Sequence, residues 1–95
     1  MPKVGKIIFR THAIKRMFQR RISEKDVRSV LETGEIIEAY PDDTPFPSRL
    51  ILGWMESRPI HLVVADNIAD NETIVITVYE PEQDKWSFNF KRRIP

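Results

Sequence analysis

The sequence predicts an α+β domain, with two N-terminal helices packed on one face of a four- to five-stranded antiparallel sheet. Three observations carry that expectation. Apolar residues recur at helical spacing through the first third of the chain. Period-two alternation replaces that spacing from Glu35 onward. The connections between the later segments are short, which suits antiparallel hairpins and not βαβ crossovers. With 95 residues there is room for one domain, spanning 1–95.

After a short apolar stretch, Ile7-Ile8-Phe9, Thr11 is placed to cap a helix running to about Arg21. Ile14, Met17, Phe18 and Arg21 follow the three-four spacing of a buried stripe. A second helix is announced by Ile22-Ser23-Glu24-Lys25-Asp26-Val27. Ser23 is its cap, Asp26 completes a capping box, and Ile22 with Val27 forms a hydrophobic staple. This helix buries Val27, Val30 and Leu31 and stops at Gly34, expected as a left-handed C-cap.

Strand-like runs follow at Glu35–Tyr40, Arg49–Met55, Pro59–Ala65, Thr73–Tyr79 and Trp86–Phe90. Residues 41–48, with three prolines and two aspartates, and residues 66–72 read as loops. Alternation assigns Leu50, Leu52 and Trp54, Ile60, Leu62 and Val64, and Ile74, Ile76 and Val78 to the core face. The other parity bears Arg49, His61, Thr77 and Tyr79 around small apolar residues. Such a surface is either half-exposed or a cleft.

Composition narrows the function classes. There is no cysteine, which removes disulfides and thiolate-bound metals. No apolar run approaches the roughly 20 residues of a membrane span. A cytoplasmic protein without a membrane partner is expected. The net charge of +1 conceals a segregation. Residues 1–28 hold nine basic side chains, Lys3 among them, against Glu24 and Asp26. Residues 29–84 are strongly acidic, and 85–95 carry four basic residues and no acid. If the basic ends meet in space, they suit phosphates or an acidic protein.

At about 100° per residue, His12, Arg16 and Arg20 share a stripe within about 80° on the first helix. Imidazole can move a proton near neutral pH, and guanidinium offers a fork of donors to phosphate oxygens. The same stripe is also what an ordinary solvated helix face looks like. His61, in an apolar strand, and Tyr79, at a strand end, are each open to a packing role or a chemical one. Two histidines so far apart in sequence form no metal-ligand motif, and no Gly-rich phosphate loop is present, so neither metal nor cofactor is expected. Trp86, Phe88 and Phe90 before Lys91, Arg92 and Arg93 can stack on bases or simply alternate in a strand.

Taken in order, several segments resemble a family of small bacterial domains of unknown function usually placed in the RelE-like toxin superfamily. These are His12-Ala13-x-x-Arg16-Met17-x-x-Arg20-Arg21-Ile22-Ser23, Val27-x-x-Val30-Leu31-x-x-Gly34-Glu35-Ile36-Ile37 and Pro59-Ile60-His61-Leu62-Val63-Val64. Ile76-Thr77-Val78-Tyr79-Glu80-Pro81, Trp86 and Arg92-Arg93 complete the set. Genes of that family often neighbour an MqsA-type (YgiT) zinc-finger antitoxin. The resemblance implies a RelE-like fold, a cognate antitoxin of a type II toxin-antitoxin system, and metal-independent mRNA cleavage, free or on the ribosome. His12, His61 and Tyr79 are then the candidate acid and base groups; Arg16, Arg20, Thr77, Lys91 and Arg92 are candidates for RNA or phosphate binding. The alternative is a non-catalytic module that binds RNA or protein through its basic terminal segments.

Overall fold

The computed structural model describes residues 5–95, so Lys3 of the basic N-terminal block lies outside the described residues. The elements are β1 (Lys6–Phe9), α1 (Thr11–Arg20), α2 (Glu24–Thr33), β2 (Glu35–Tyr40), β3 (Ser48–Met55), β4 (Arg58–Asn67) and β5 (Glu72–Tyr79). They build one α+β unit whose five-stranded sheet has the order β1-β5-β4-β3-β2. Strands β2 to β5 are an antiparallel meander, whereas β1 adds parallel to β5. The expectation of a wholly antiparallel sheet is therefore corrected to a mixed one, and a strand precedes the helices. Four residues are too few to show an alternation, and the partner of Ile8 is Ile74, far along the chain. Nothing local betrays such a pairing.

The capping box of α2 forms as expected. Asp26 N donates to Ser23 Oγ at 3.1 Å, and Ser23 N donates to Asp26 Oδ2 at 2.9 Å. The staple residues Ile22 and Val27 are both buried. Two other terminus expectations are corrected. Arg10, not Thr11, occupies the N-cap of α1 and makes no side-chain cap. The left-handed cap belongs to Arg21, at φ 56°, which closes α1 onto the carbonyls of Met17 and Phe18. Gly34 is extended, at φ −73° and ψ 168°. Glycine is required there for close approach: a Cβ would lie 2.5 Å from the Val30 carbonyl oxygen and 2.6 Å from Ile51 Cγ2.

The buried stripe of α1 also differs from expectation. Ala13 and Met17 enter the core, while Ile14 is 53% and Phe18 89% exposed. The reason lies in the sheet. The β1 ladder ends at Phe9 opposite Val75, where Arg10 N still donates to the Val75 carbonyl at 3.0 Å. Beyond that point α1 runs beside β5, and so narrow a contact covers only one row of side chains. Helix α2 lies on β3 and reaches β4. Val30 presses on Gly53, where a Cβ would fall 2.6 Å from a Val30 methyl.

Register corrects the face assignment. Leu62 pairs with Ile51 on one side and Val78 on the other, so these three, with Ile60 and Val64, form the layer beneath the helices. Leu50 and Leu52 pair with Val63 and His61, so they face away from the helices with Trp54, not toward them. A bulge between Val63 and Val64 leaves Ile76 as an extra residue, which puts Val75 and Val78 on one face and splits the expected Ile74-Ile76-Val78 set. Leu50, Ile51 and Leu52 are all buried because both faces of β3 are covered.

The cover on the second face is the C-terminal segment. Trp86–Phe90 is not a strand: it curls through turns, with only a bridge between Trp86 and Arg93. Trp86 and Phe90 of this C-terminal hook pack on the sheet, while Phe88 between them is 88% exposed. Trp86 meets His61 edge-on at 4.3 Å between ring centroids, and Phe90 meets Trp54 at 6.0 Å.

Candidate functional site

The second face carries most of the candidate polar residues. In register across the sheet, Glu35, Leu52, His61 and Tyr79 form one row. Glu38, Leu50, Val63 and Thr77 form the next.

His61 is fully buried in the first row. Its Nε2 lies 2.8 Å from the Phe90 carbonyl oxygen, and a carbonyl can only accept, so Nε2 carries a proton. Burial pushes the imidazole pKa down, with the Phe90 carbonyl pulling weakly the other way. The neutral ring then has a free lone pair on Nδ1, and the Tyr79 hydroxyl, 3.1 Å away, donates to it. Burial likewise pushes the Tyr79 phenol above its ordinary value, opposed by the nearby Arg93 charge. Tyr79, unlike His61, is only half-buried.

The second row ends at α1. His12 Nε2 and Thr77 Oγ1 share a hydrogen bond of 3.0 Å. His12 is exposed, and it reaches Thr77 because α1 begins where β1 stops covering β5. Thr77 and Tyr79 lie two residues apart on β5, each paired into this second face. The helix pair and the sheet strip are thus joined at this edge. Arg16 and Arg20 follow on the exposed stripe of α1, and the Arg20 carbonyl accepts from Arg58 Nη2 at 2.9 Å. Arg58 in turn pairs with Glu80 at 3.1 Å, which fixes the far end of α1 beside the end of β5.

The C-terminal bases divide. Lys91 pairs with Glu35 at 2.9 Å, at the β2 side of the sheet. Arg92 is exposed and holds the hook through its backbone, its N–H donating to Ser87 Oγ at 3.2 Å and its carbonyl accepting from Ser87 N at 2.8 Å. Arg93 is the one whose charge pulls the Tyr79 phenol downward.

Glu38 and Tyr40 were not singled out from the sequence, and Arg93 stood there only as part of the basic block after Trp86 and of the Arg92-Arg93 pair. The Tyr40 hydroxyl donates to Glu38 Oε2 at 2.7 Å, which, with some burial, pushes the phenol up to about 12. An i, i+2 pair on a strand shares a face, so that juxtaposition was available in the spacing. Arg93 was not, because only the turns after Trp86 bring it back.

Fold and site together define a small α+β domain in which a histidine–tyrosine strip on a mixed sheet abuts a basic helix. Residues 9–80 match a family described as a domain of unknown function (DUF4258), and the chain belongs to that family. The match spans α1 to the end of β5, including His12, Arg16, Arg20, His61, Thr77 and Tyr79. Lys91 and Arg92 lie beyond it. The comparison with curated proteins gives no match, and that with solved structures gives none.

Proposed function

We propose that the domain is a toxin-like endoribonuclease of the RelE-like kind, an mRNA interferase that cleaves RNA by attack of a 2′-hydroxyl on the adjacent phosphorus. The observation that carries the reading is the junction at β5. There an exposed imidazole bound to Thr77, a phenol bound to a buried imidazole and the cations of α1 lie along one edge.

In this scheme His12 takes the 2′-hydroxyl proton as the new phosphorus–oxygen bond forms. Tyr79, whose phenol burial keeps protonated, gives its proton to the departing 5′-oxygen. Arg93 lowers the cost of the phenolate left behind. His61 reaches no solvent and acts through Tyr79: its Nδ1 holds the hydroxyl in place until the leaving oxygen competes for the proton. Arg16 and Arg20 neutralise the phosphorane, with Thr77 orienting His12. Acid and base help of this kind is each worth about 10²–10⁴-fold. No step needs a metal or a cofactor.

A cognate antitoxin, of the MqsA zinc-finger type, is the proposed restraint, and the cytoplasm is where its RNA substrate would be met. Inducible expression in a bacterial host tests the reading. Wild type should arrest growth and degrade RNA, and His12→Ala and Tyr79→Phe at equal expression should not. Salt-sensitive RNA binding by intact wild type, with no cleavage, supports instead the binding-module reading, which the exposed bases of α1 favour.

A further inference from the structure

We infer that Glu38 and Tyr40 form a base-reading subsite, which takes a nucleobase flanking the scissile phosphate and favours bases that bear an exocyclic amino group. This rests on the RNA reading above and extends the same strip.

The register places it. Glu38 stands in line with Leu50, Val63 and Thr77, and Thr77 holds His12. Three strand spacings separate Glu38 from Thr77, about 14 Å along the sheet. The residues between are apolar: Leu50 is buried and Val63 half-buried. The strip therefore offers acid–base groups at one end and a carboxylate beside an aromatic ring at the other. A phosphate bound near His12 and Tyr79 leaves a neighbouring nucleotide to extend toward β2.

Chemistry decides what the β2 end selects. A carboxylate repels phosphate, so this end does not serve the RNA backbone. It only accepts hydrogen bonds, and cytosine, adenine and guanine each present an amino group with two N–H donors, where uracil offers a carboxylate only its ring N3–H. Uracil has no amino group. The hydrogen bond from Tyr40 fixes one carboxylate oxygen and leaves the other free to accept. It also ties down the Tyr40 ring, which is 37% exposed and free to stack on a base. The charge of Glu38 is felt by the Tyr79 phenol, and that of Tyr79 by Tyr40. Glu38 makes no ion pair among those formed by the described residues, so its charge is not committed to the fold.

The test separates binding from cleavage by using 2′-O-methyl oligonucleotides, which lack the attacking hydroxyl. Fluorescence anisotropy measures affinity for four homopolymers of eight nucleotides, with wild type, Glu38→Gln and Tyr40→Ala. Wild type should bind the amino-bearing oligomers about 10- to 150-fold more tightly than oligo-U, the range expected of one charge-assisted hydrogen bond. Glu38→Gln should erase most of that preference, and Tyr40→Ala should weaken all four. Both positions are exposed, and matching thermal melts confirm the fold. Equal binding of all four by wild type, or an unchanged preference in Glu38→Gln, overturns the inference. Failure to bind any oligomer overturns it together with the RNA reading. A Glu38-dependent preference in a protein that leaves ordinary RNA uncut sustains the subsite and removes the nuclease.

Discussion

Replacing His61 by phenylalanine keeps an aromatic ring beneath Trp86 while deleting both imidazole hydrogen bonds. Two polar groups then lose a partner, the Phe90 carbonyl at 2.8 Å and the Tyr79 hydroxyl at 3.1 Å. The carbonyl is the costlier, because its partner is the fully buried imidazole; an orphaned buried acceptor costs about 1–3 kcal/mol. Tyr79 is half-buried and recovers water. For a domain of this size each kcal/mol is worth roughly 4–8 °C, so the midpoint should fall by about 8–16 °C for a central loss of 2 kcal/mol. The pH dependence is the sharper signature. Burial lowers the folded-state pKa of His61 below its ordinary value, so the unfolded chain binds more protons between the two. Stability is therefore full above about pH 6.5 and declines as pH falls toward the lowered value, by at most about 1.4 kcal/mol per pH unit. His61→Phe removes that slope. Calorimetric melts from pH 8 to pH 5 measure both quantities. Parallel midpoint-against-pH curves for wild type and variant would refute the buried neutral tautomer, whatever the offset between them.

Three further outcomes follow from the packing and the ion pairs. Gly53→Ala drives a methyl against Val30 and should cost about 1–3 kcal/mol, read as a lowered denaturant midpoint at an unchanged slope. Ser23→Ala opens the capping box and should cost about 0.5–2 kcal/mol, with Ser23→Thr costing less. Lys91→Ala should change RNA affinity less than Arg16→Ala does, because Glu35 already neutralises Lys91. A larger loss for Lys91→Ala in a filter-binding titration would move the RNA path to the β2 side.

Local grammar was legible and distant pairing was not. The Ser23–Asp26 box, the staple and the four strands between Glu35 and Tyr79 follow from neighbours within a few residues, and the structure keeps them with small changes of boundary, whereas the alternating run Trp86–Phe90 is no strand. The stripe of α1 was misread because Ile14 and Phe18 have the right spacing for a core but no partner: α1 lies at the edge of β5, and Ala13 with Met17 suffices there. Parity misled on β3 because Leu50, Ile51 and Leu52 are apolar on both faces, and a strand covered on both sides does not alternate. On β5 the bulge at Ile76 reset the phase. For the site, His12, His61, Thr77 and Tyr79 were visible as polar residues. Their grouping into His12 with Thr77 and His61 with Tyr79 depended on where β1 ends and on the hook over His61. Neither leaves a local mark in the sequence.

The ends that the protein leaves on RNA report the proposed chemistry most directly. Purified wild type, given RNA in a buffer containing EDTA, should yield 2′,3′-cyclic phosphate and 5′-hydroxyl termini, with His12→Ala and Tyr79→Phe slower by about 10²–10⁴-fold. Intact RNA with active, folded protein, or cleavage that survives both substitutions unchanged, contradicts it.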